Sequence, residues 1–259
     1  NGSVRPWGDA RAKQIWKKPM AVMVDRYSAS ASEIFAGAIQ DYQRGIIIGQ
    51  KTFGKGTVQK LDNLSSGQIK ITESKFYRIT GAGMQSKGIH PDITLPSTWD
   101  IEEIGESSYD RALPWDEIKP IRFQKFSIEA TLISRLNEEH LIRVSQNPNL
   151  QYILDIRERY EIQKNKEMIS LNLTNRRVEK EERQLWAVDI ENKRRASLNL
   201  EIFDSYKAME DYNDAKEENE GDKKDFEIDI DDDHLLNEGA QILSDYLLLN
   251  QNTYLSQAA

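Results

Sequence analysis

Hydrophobic and polar positions divide the chain into two parts with different periodicities. In the first part, two short apolar runs, residues 20–24 and 46–48, flank a segment whose apolar residues recur at helical spacing. This order predicts a strand, a small-residue turn, a helix closed by Gly45, and a second strand. Residues 56–62 and 68–80 alternate between apolar and polar side chains around Gly67, which predicts a β-hairpin.

From about residue 119 the apolar positions keep helical spacing. Residues 147–149, Asn-Pro-Asn, separate a first helix from a second that we expect to reach about Leu171. A third helix is predicted over about 175–210 and a last one over 235–249. The pattern therefore predicts an α+β protein whose first domain covers residues 1–118 and whose helical C-terminal domain covers residues 119–259.

The charge of the chain is concentrated in one segment. The 259 residues carry a net charge of −8, while residues 210–233 alone hold 13 acidic and 3 basic side chains. This composition is typical of a flexible linker. No basic patch with interleaved aromatic residues is present, so we expect no nucleic-acid partner. The chain has no cysteine and no metal-ligand constellation, so neither a cofactor nor a metal site is expected.

Candidate chemistry is concentrated between the first strand and the hairpin. Residues 28–32 read Ser-Ala-Ser-Ala-Ser at the predicted start of a helix, where free N–H groups and the helix dipole can stabilise an oxyanion. A serine nucleophile needs a base, and none of the three histidines lies in this stretch. Lys55, between Gly54 and Gly56, is the alternative base, because a desolvated lysine can accept a proton.

Three spaced motifs resemble the C-terminal-processing, or tail-specific, serine peptidases. They are Ser28-Ala-Ser-Ala-Ser-Glu-Ile-Phe-Ala-Gly-Ala38, then Gln40-Asp-Tyr42, then Thr52-Phe-Gly-Lys-Gly-Thr-Val-Gln59. The run Ala112-Leu-Pro-Trp-Asp116 resembles the large Gram-negative branch of this family. The resemblance implies that residues 1–118 are the C-terminal half of a crotonase/Clp-protease-like peptidase core.

The resemblance also implies a role for each matching residue. Ser30 would be the nucleophile, Lys55 the base, and Gln59 the residue that orients the lysine. The backbone N–H of Ala31 would be one oxyanion donor. Three further positions would support the site: Glu33, Asp41 and Thr52.

Each of these residues also has an ordinary structural interpretation. Ser30 can cap the helix, and Glu33 three residues later completes the pattern of a capping box. Lys55 and Gln59 can be solvated, and Asp41 can be a surface carboxylate. His90, which precedes a proline, is predicted to be structural. We regard the full pattern as outweighing these interpretations for Ser30 and Lys55.

Two other functions need to be considered. Residues 49–57 come within one residue of a phosphate-binding loop, but Gly56 lacks the hydroxyl that magnesium needs, and a strand rather than a helix is predicted next. The chain could instead be a helical interaction or scaffolding module that carries an incomplete protease core.

The family resemblance carries expectations about substrates and context. Substrates would be proteins with apolar, unstructured C-termini, and an adaptor protein is a candidate partner. Peripheral membrane association is open but not indicated, and the family's compartment is the periplasm. The family's second oxyanion donor, from a glycine pair, and its PDZ domain have no match in this chain, so we expect the isolated chain to be inactive.

Overall fold

The computed structural model describes residue 8 and residues 15–126, 128–221 and 233–257. Within them the first part of the chain forms two small sheets. Strands β1 (Ala21–Val24), β2 (Ile46–Gly49) and β5 (Ile93–Thr94) make a parallel sheet in the order β1-β2-β5. Strands β3 (Thr57–Asn63) and β4 (Gln68–Lys75) form a separate antiparallel hairpin.

The central strand β2 shows why this sheet is stable. Ile46, Ile47 and Ile48 are all fully buried, and burial of each such side chain contributes roughly 1.5–3 kcal/mol. Ile47 points to the face covered by helix α1 (Ala31–Asp41), together with Val24 and Ile89. Helix α1 therefore covers one face of the sheet, and a parallel sheet needs cover on both faces.

The second face of the sheet is covered by the C-terminal part of the chain. Ile46 and Ile48 form one apolar cluster with Leu136 of helix α2 (Ala130–Gln146) and Ile242 of helix α6 (His234–Gln257). These helices therefore pack on the sheet directly.

The remaining helices lie between α2 and α6 in the chain. They are α3 (Pro148–Lys164), α4 (Leu173–Ser197) and α5 (Tyr206–Gly221). Helix α3 is capped by Asn147, whose side chain accepts from the N–H groups of Asn149 and Leu150. The mixed helix-and-strand class predicted from the sequence is confirmed. No helix in the described part of the chain is long and apolar enough to cross a membrane.

The ends of two helices differ from the prediction. Helix α3 ends at Lys164 rather than near Leu171, and the exposed side chains of Met168 and Leu171 show that packing does not continue there. Helix α4 ends at Ser197, because Asn199 adopts φ 55°, a left-handed conformation that asparagine tolerates.

The predicted acidic linker is helical over its first part. Residues 210–221 belong to α5, where Tyr212 stacks against Phe203 with ring centroids 5.4 Å apart. The guanidinium of Arg195 lies 5.0 Å from the Tyr212 ring centroid. These contacts hold the helix on α4 despite its charge. Residues 222–232 of the predicted linker lie outside the described residues.

A buried ionic cluster joins α2, α6 and β5. Glu238 accepts from His140 Nδ1 at 2.8 Å and from Arg143 Nε at 3.0 Å, and His140 Nε2 lies 3.1 Å from the Thr94 carbonyl oxygen. Burial opposes ionisation of Glu238, but the hydrogen bonds from His140 and Arg143 outweigh it and lower its pKa. Asp245 gives Arg143 a second carboxylate at 2.7 Å.

We expect Glu238→Gln to lower the free energy of unfolding by about 2–4 kcal/mol at neutral pH, because Arg143 loses a buried ionic partner. The lowered folded-state pKa of Glu238 contributes stability that is present above the unfolded-state pKa and is lost as pH falls through the folded-state value. The difference between wild type and variant should therefore stay nearly constant from pH 7 to about pH 5 and shrink as the pH falls from about 4 to about 3. Urea denaturation across this range measures it.

The control is Glu181→Gln on the exposed surface of α4, which should change the free energy of unfolding little at any pH. A difference between wild type and Glu238→Gln that grows on acidification would contradict the ionic role of Glu238.

Candidate active site

The predicted nucleophile lies in a strained turn between β1 and α1. Ser30 has φ 58° and ψ −111°, a sparsely populated region for a residue other than glycine. The preceding turn is held by Asp25, whose carboxylate accepts from the N–H groups of Tyr27 and Ser28 at 3.0 and 2.8 Å. Non-glycine strain of this kind persists only where surrounding contacts fix the backbone.

The three serines of the turn differ in how their hydroxyls are used. The Ser28 hydroxyl donates to Asp25 at 3.0 Å, and the Ser32 hydroxyl donates to the Ala29 carbonyl at 2.8 Å. Among the described residues, the Ser30 hydroxyl donates no hydrogen bond, and the N–H of Ala31 has no acceptor. The serine in the middle of the pattern is therefore the one whose proton is available, next to an open N–H donor.

The buried carboxylate of Glu33 joins the turn to the lysine loop. Oε2 accepts from the backbone N–H groups of Ser30 and Lys55, both at 2.8 Å. Oε1 accepts from the Thr52 hydroxyl at 2.5 Å and from the Gly54 N–H at 2.7 Å. Glu33 is fully buried, so all four donors are needed to compensate for the lost hydration of its carboxylate.

Thr52 binds this carboxylate, and Arg26 binds the backbone of Thr52. The Thr52 hydroxyl also accepts from the Ile89 N–H at 2.7 Å. Arg26 is fully buried and donates to the carbonyls of Thr52 and Ile101. Burial lowers the pKa of the Arg26 guanidinium, and the negative charge of Glu33 opposes that shift.

Lys55 lies in an irregular loop that its neighbours fix through the backbone. The Gly54 carbonyl accepts from the Ser86 N–H at 2.8 Å, and the Gly56 carbonyl accepts from the Phe76 N–H at 3.1 Å. A side chain on Gly56 would collide with the Gln85 backbone, its Cβ lying 2.5 Å from the nitrogen. In the described part of the structure, the half-buried Lys55 side chain forms no ion pair or hydrogen bond.

Gln59 and Asp41 are placed differently from the other predicted residues. Gln59 donates to the Thr57 hydroxyl at 2.7 Å, next to a register shift in the hairpin, and no contact among the described residues joins it to Lys55. Asp41 is buried at the end of α1 and accepts from Arg78 Nε at 2.9 Å. Asp41 thus ties α1 to the segment after the hairpin and does not face the serine turn through any described contact.

The structure also clarifies the alternative interpretations. Glu33 bonds the Ser30 N–H as a capping-box residue does, but it bonds three further donors that a cap does not need. The glycine-rich segment leads into strand β3 and not into a helix, which argues against a phosphate-binding loop. Desolvation, Lys51 and Arg26 all lower the pKa of His90, whose carbonyl accepts from Gln40 at 2.8 Å.

Two residues near the lysine loop were missed by sequence reasoning. Gln85 is 1% exposed and its side-chain oxygen accepts from the Gly56 N–H at 3.0 Å. Its side-chain nitrogen donates to Glu106 at 3.0 Å. Nothing in the spacing of the residues around Gln85 indicates that it is buried against Gly56. No group of three metal-ligating side chains occurs among the described residues.

Comparison with known families identifies the two parts of the chain. Residues 3–95 match Peptidase family S41, and residues 99–248 match the C-terminal domain of tail specific protease (DUF3340). The chain belongs to the tail-specific protease family. The predicted family is therefore confirmed, together with its class of serine-type peptidases.

Two relatives agree with this assignment, and one solved structure is similar over part of the chain. The chain is 35% identical to the tail-specific protease of Haemophilus influenzae over 98% of its own length, and it spans 36% of that relative. A carboxy-terminal-processing protease of Bartonella bacilliformis is 45% identical over 30% of the chain and 18% of the relative. The solved photosystem II D1 C-terminal processing protease is 41% identical over 30% of this chain and 20% of that chain, with a TM-score of 0.28.

We expect Glu33→Gln to destabilise the chain by about 3 kcal/mol or more, because an amide presents donors where the carboxylate accepts from four. Guanidinium denaturation followed by circular dichroism measures the loss. The matched control is Glu73→Gln on the exposed strand β4, which should change the free energy of unfolding by less than about 0.5 kcal/mol. Equal effects of the two substitutions would contradict the role of Glu33 as the link between the turn and the loop.

Proposed function

We propose that this chain carries the Ser–Lys dyad of a serine endopeptidase, with Ser30 as nucleophile and Lys55 as base. One observation carries the proposal. The backbone N–H groups of Ser30 and Lys55 bind the same oxygen of the buried Glu33 carboxylate, each at 2.8 Å. Two segments that are 25 positions apart in sequence are thereby held side by side. A glutamate that only caps a helix needs no contact with the lysine loop.

The chemistry follows from the residue types and their surroundings. The Ser30 oxygen attacks the carbonyl carbon of a peptide bond, and the neutral Lys55 amine takes the hydroxyl proton. The C–N bond then breaks, the leaving amine takes the proton from Lys55, and an acyl-enzyme remains. Lys55 next removes a proton from a water molecule whose oxygen attacks the acyl carbon. The ester C–O bond to Ser30 then breaks, and Lys55 returns the proton to the Ser30 oxygen. The open N–H of Ala31 would stabilise the oxyanion in both steps.

The remaining predicted residues would act around this pair. Glu33 and Thr52 position the backbone of the dyad through their mutual hydrogen bond. Asp41 acts further away, by fixing α1 through Arg78. Gln59 would orient Lys55 after its side chain turns from Thr57, a rotation of an amide that is only partly buried.

The proposal also covers the substrates and the cellular compartment of the whole protein. We propose cleavage of proteins with apolar, unstructured C-termini in the periplasm, with an adaptor as a candidate partner. This chain spans 36% of its Haemophilus influenzae relative. A second oxyanion donor and a substrate-gripping domain would come from an upstream part, and loss of one oxyanion donor costs roughly 10²–10³ in kcat. The isolated chain should therefore be inactive.

We expect Ser30→Ala and Lys55→Ala each to lower kcat by at least about 10³-fold in the parent protein, meaning this chain joined to its upstream part. Each substitution removes a group that forms or breaks a bond. The assay is cleavage of an unfolded reporter with an apolar C-terminal tag, with folding checked by circular dichroism. Lys119→Ala, an exposed lysine of the segment before α2, is the matched control and should keep full activity.

Full activity of Lys55→Ala would overturn the Ser–Lys mechanism and require another base. Cleavage by the isolated 259-residue chain at the rate of the parent protein would contradict the proposed need for an upstream part.

A further inference from the structure

The lysine loop is held on two sides, and only one of them belongs to the predicted site. Glu33 binds the N–H groups of Gly54 and Lys55 from the side of the serine turn. On the other side, the Gly56 N–H donates to the Gln85 side-chain oxygen at 3.0 Å. The position of Lys55 therefore depends on Gln85 as well as on Glu33.

The Gln85 amide has one allowed orientation. Its oxygen must accept from Gly56, which offers only a donor, and its nitrogen must donate to Glu106, whose carboxylate offers only acceptors. Because Gln85 is 1% exposed, water cannot replace either partner. Glu106 thus decides which way the amide faces.

Glu106 also contacts the lysine loop directly through its backbone. Its backbone N–H donates to the Phe53 carbonyl at 2.9 Å, two residues before Lys55. Glu106 begins a short 3-10 helix, Glu106–Ser108, in the segment that follows the parallel sheet. Its side chain and its backbone therefore contact the lysine loop on either side of Lys55, at Gly56 through Gln85 and at Phe53.

The two residues come from different family regions. Gln85 lies in residues 3–95, which match the peptidase family, and Glu106 lies in residues 99–248, which match the C-terminal domain. We infer that Gln85 and Glu106 are positioning residues for Lys55, and that the C-terminal region thereby contributes directly to the geometry of the dyad. This inference rests on the proposed Ser–Lys mechanism.

A charge swap in the parent protein tests the inference. Gln85→Glu places a carboxylate against Glu106, so the two repel, and kcat should fall about tenfold or more while KM changes less than about twofold. Adding Glu106→Gln restores a donor opposite the new carboxylate, and kcat should return to within about threefold of wild type. A purely structural role would lower the thermal midpoint without this pattern in kcat.

Two further variants keep the test decisive. Glu106→Ala changes only a partly exposed side chain, so it should fold and still lower kcat about threefold or more. Gln163→Glu, on the exposed surface of α3, introduces the same charge elsewhere and should leave kcat unchanged.

The outcomes separate this inference from the proposed function. The positioning role would be overturned if Gln85→Glu and Glu106→Ala both kept the wild-type kcat, or if the folded double variant did not recover. In either case Lys55→Ala would still be inactive. Activity of Lys55→Ala in the same assay would instead overturn the dyad itself.

Discussion

The arrangement of the site depends on one buried carboxylate. Glu33 is fully buried, and a buried charge is tolerated only when hydrogen bonds replace its hydration. Its four donors come from the serine turn, from Thr52 and from two residues of the glycine-flanked loop. Because an unpaired buried charge is costly, the serine turn and the lysine loop both stay in contact with Glu33. Ser30, which has a strained backbone, donates its N–H to this carboxylate.

The C-terminal region is built into the sheet that carries this site. Leu136 and Ile242 cover one face of β2, while Ile47 packs beneath α1 on the other. The ionic cluster around Glu238 ties α2 and α6 to the end of β5. Loss of the helices would therefore expose β2, so the two matched family regions share one core.

Much of the local structure could be predicted from the sequence, because it depends on short-range periodicity. The strand, turn, helix and strand from residue 20 to 49 and the hairpin follow from apolar spacing alone. The pairing of Ser30 with Lys55 is a prediction from the family pattern, and in the structure both residues donate their backbone N–H to Glu33. The roles of Gln85 and Glu106 could not be predicted, since they depend on contacts 21 to 29 positions apart with no periodic signal. The last helix could be predicted, but not the sheet face that it covers.

The dependence of Ser30 on Lys55 and Glu33 can be tested by mapping where an electrophilic β-lactone acylates the parent protein. Peptide mass spectrometry identifies the modified serine and its rate of modification. We expect an adduct on Ser30 that is absent in Lys55→Ala and forms at least about tenfold more slowly in folded Glu33→Gln. An adduct on Ser28 or Ser32, or a rate on Ser30 that does not depend on Glu33, would contradict it.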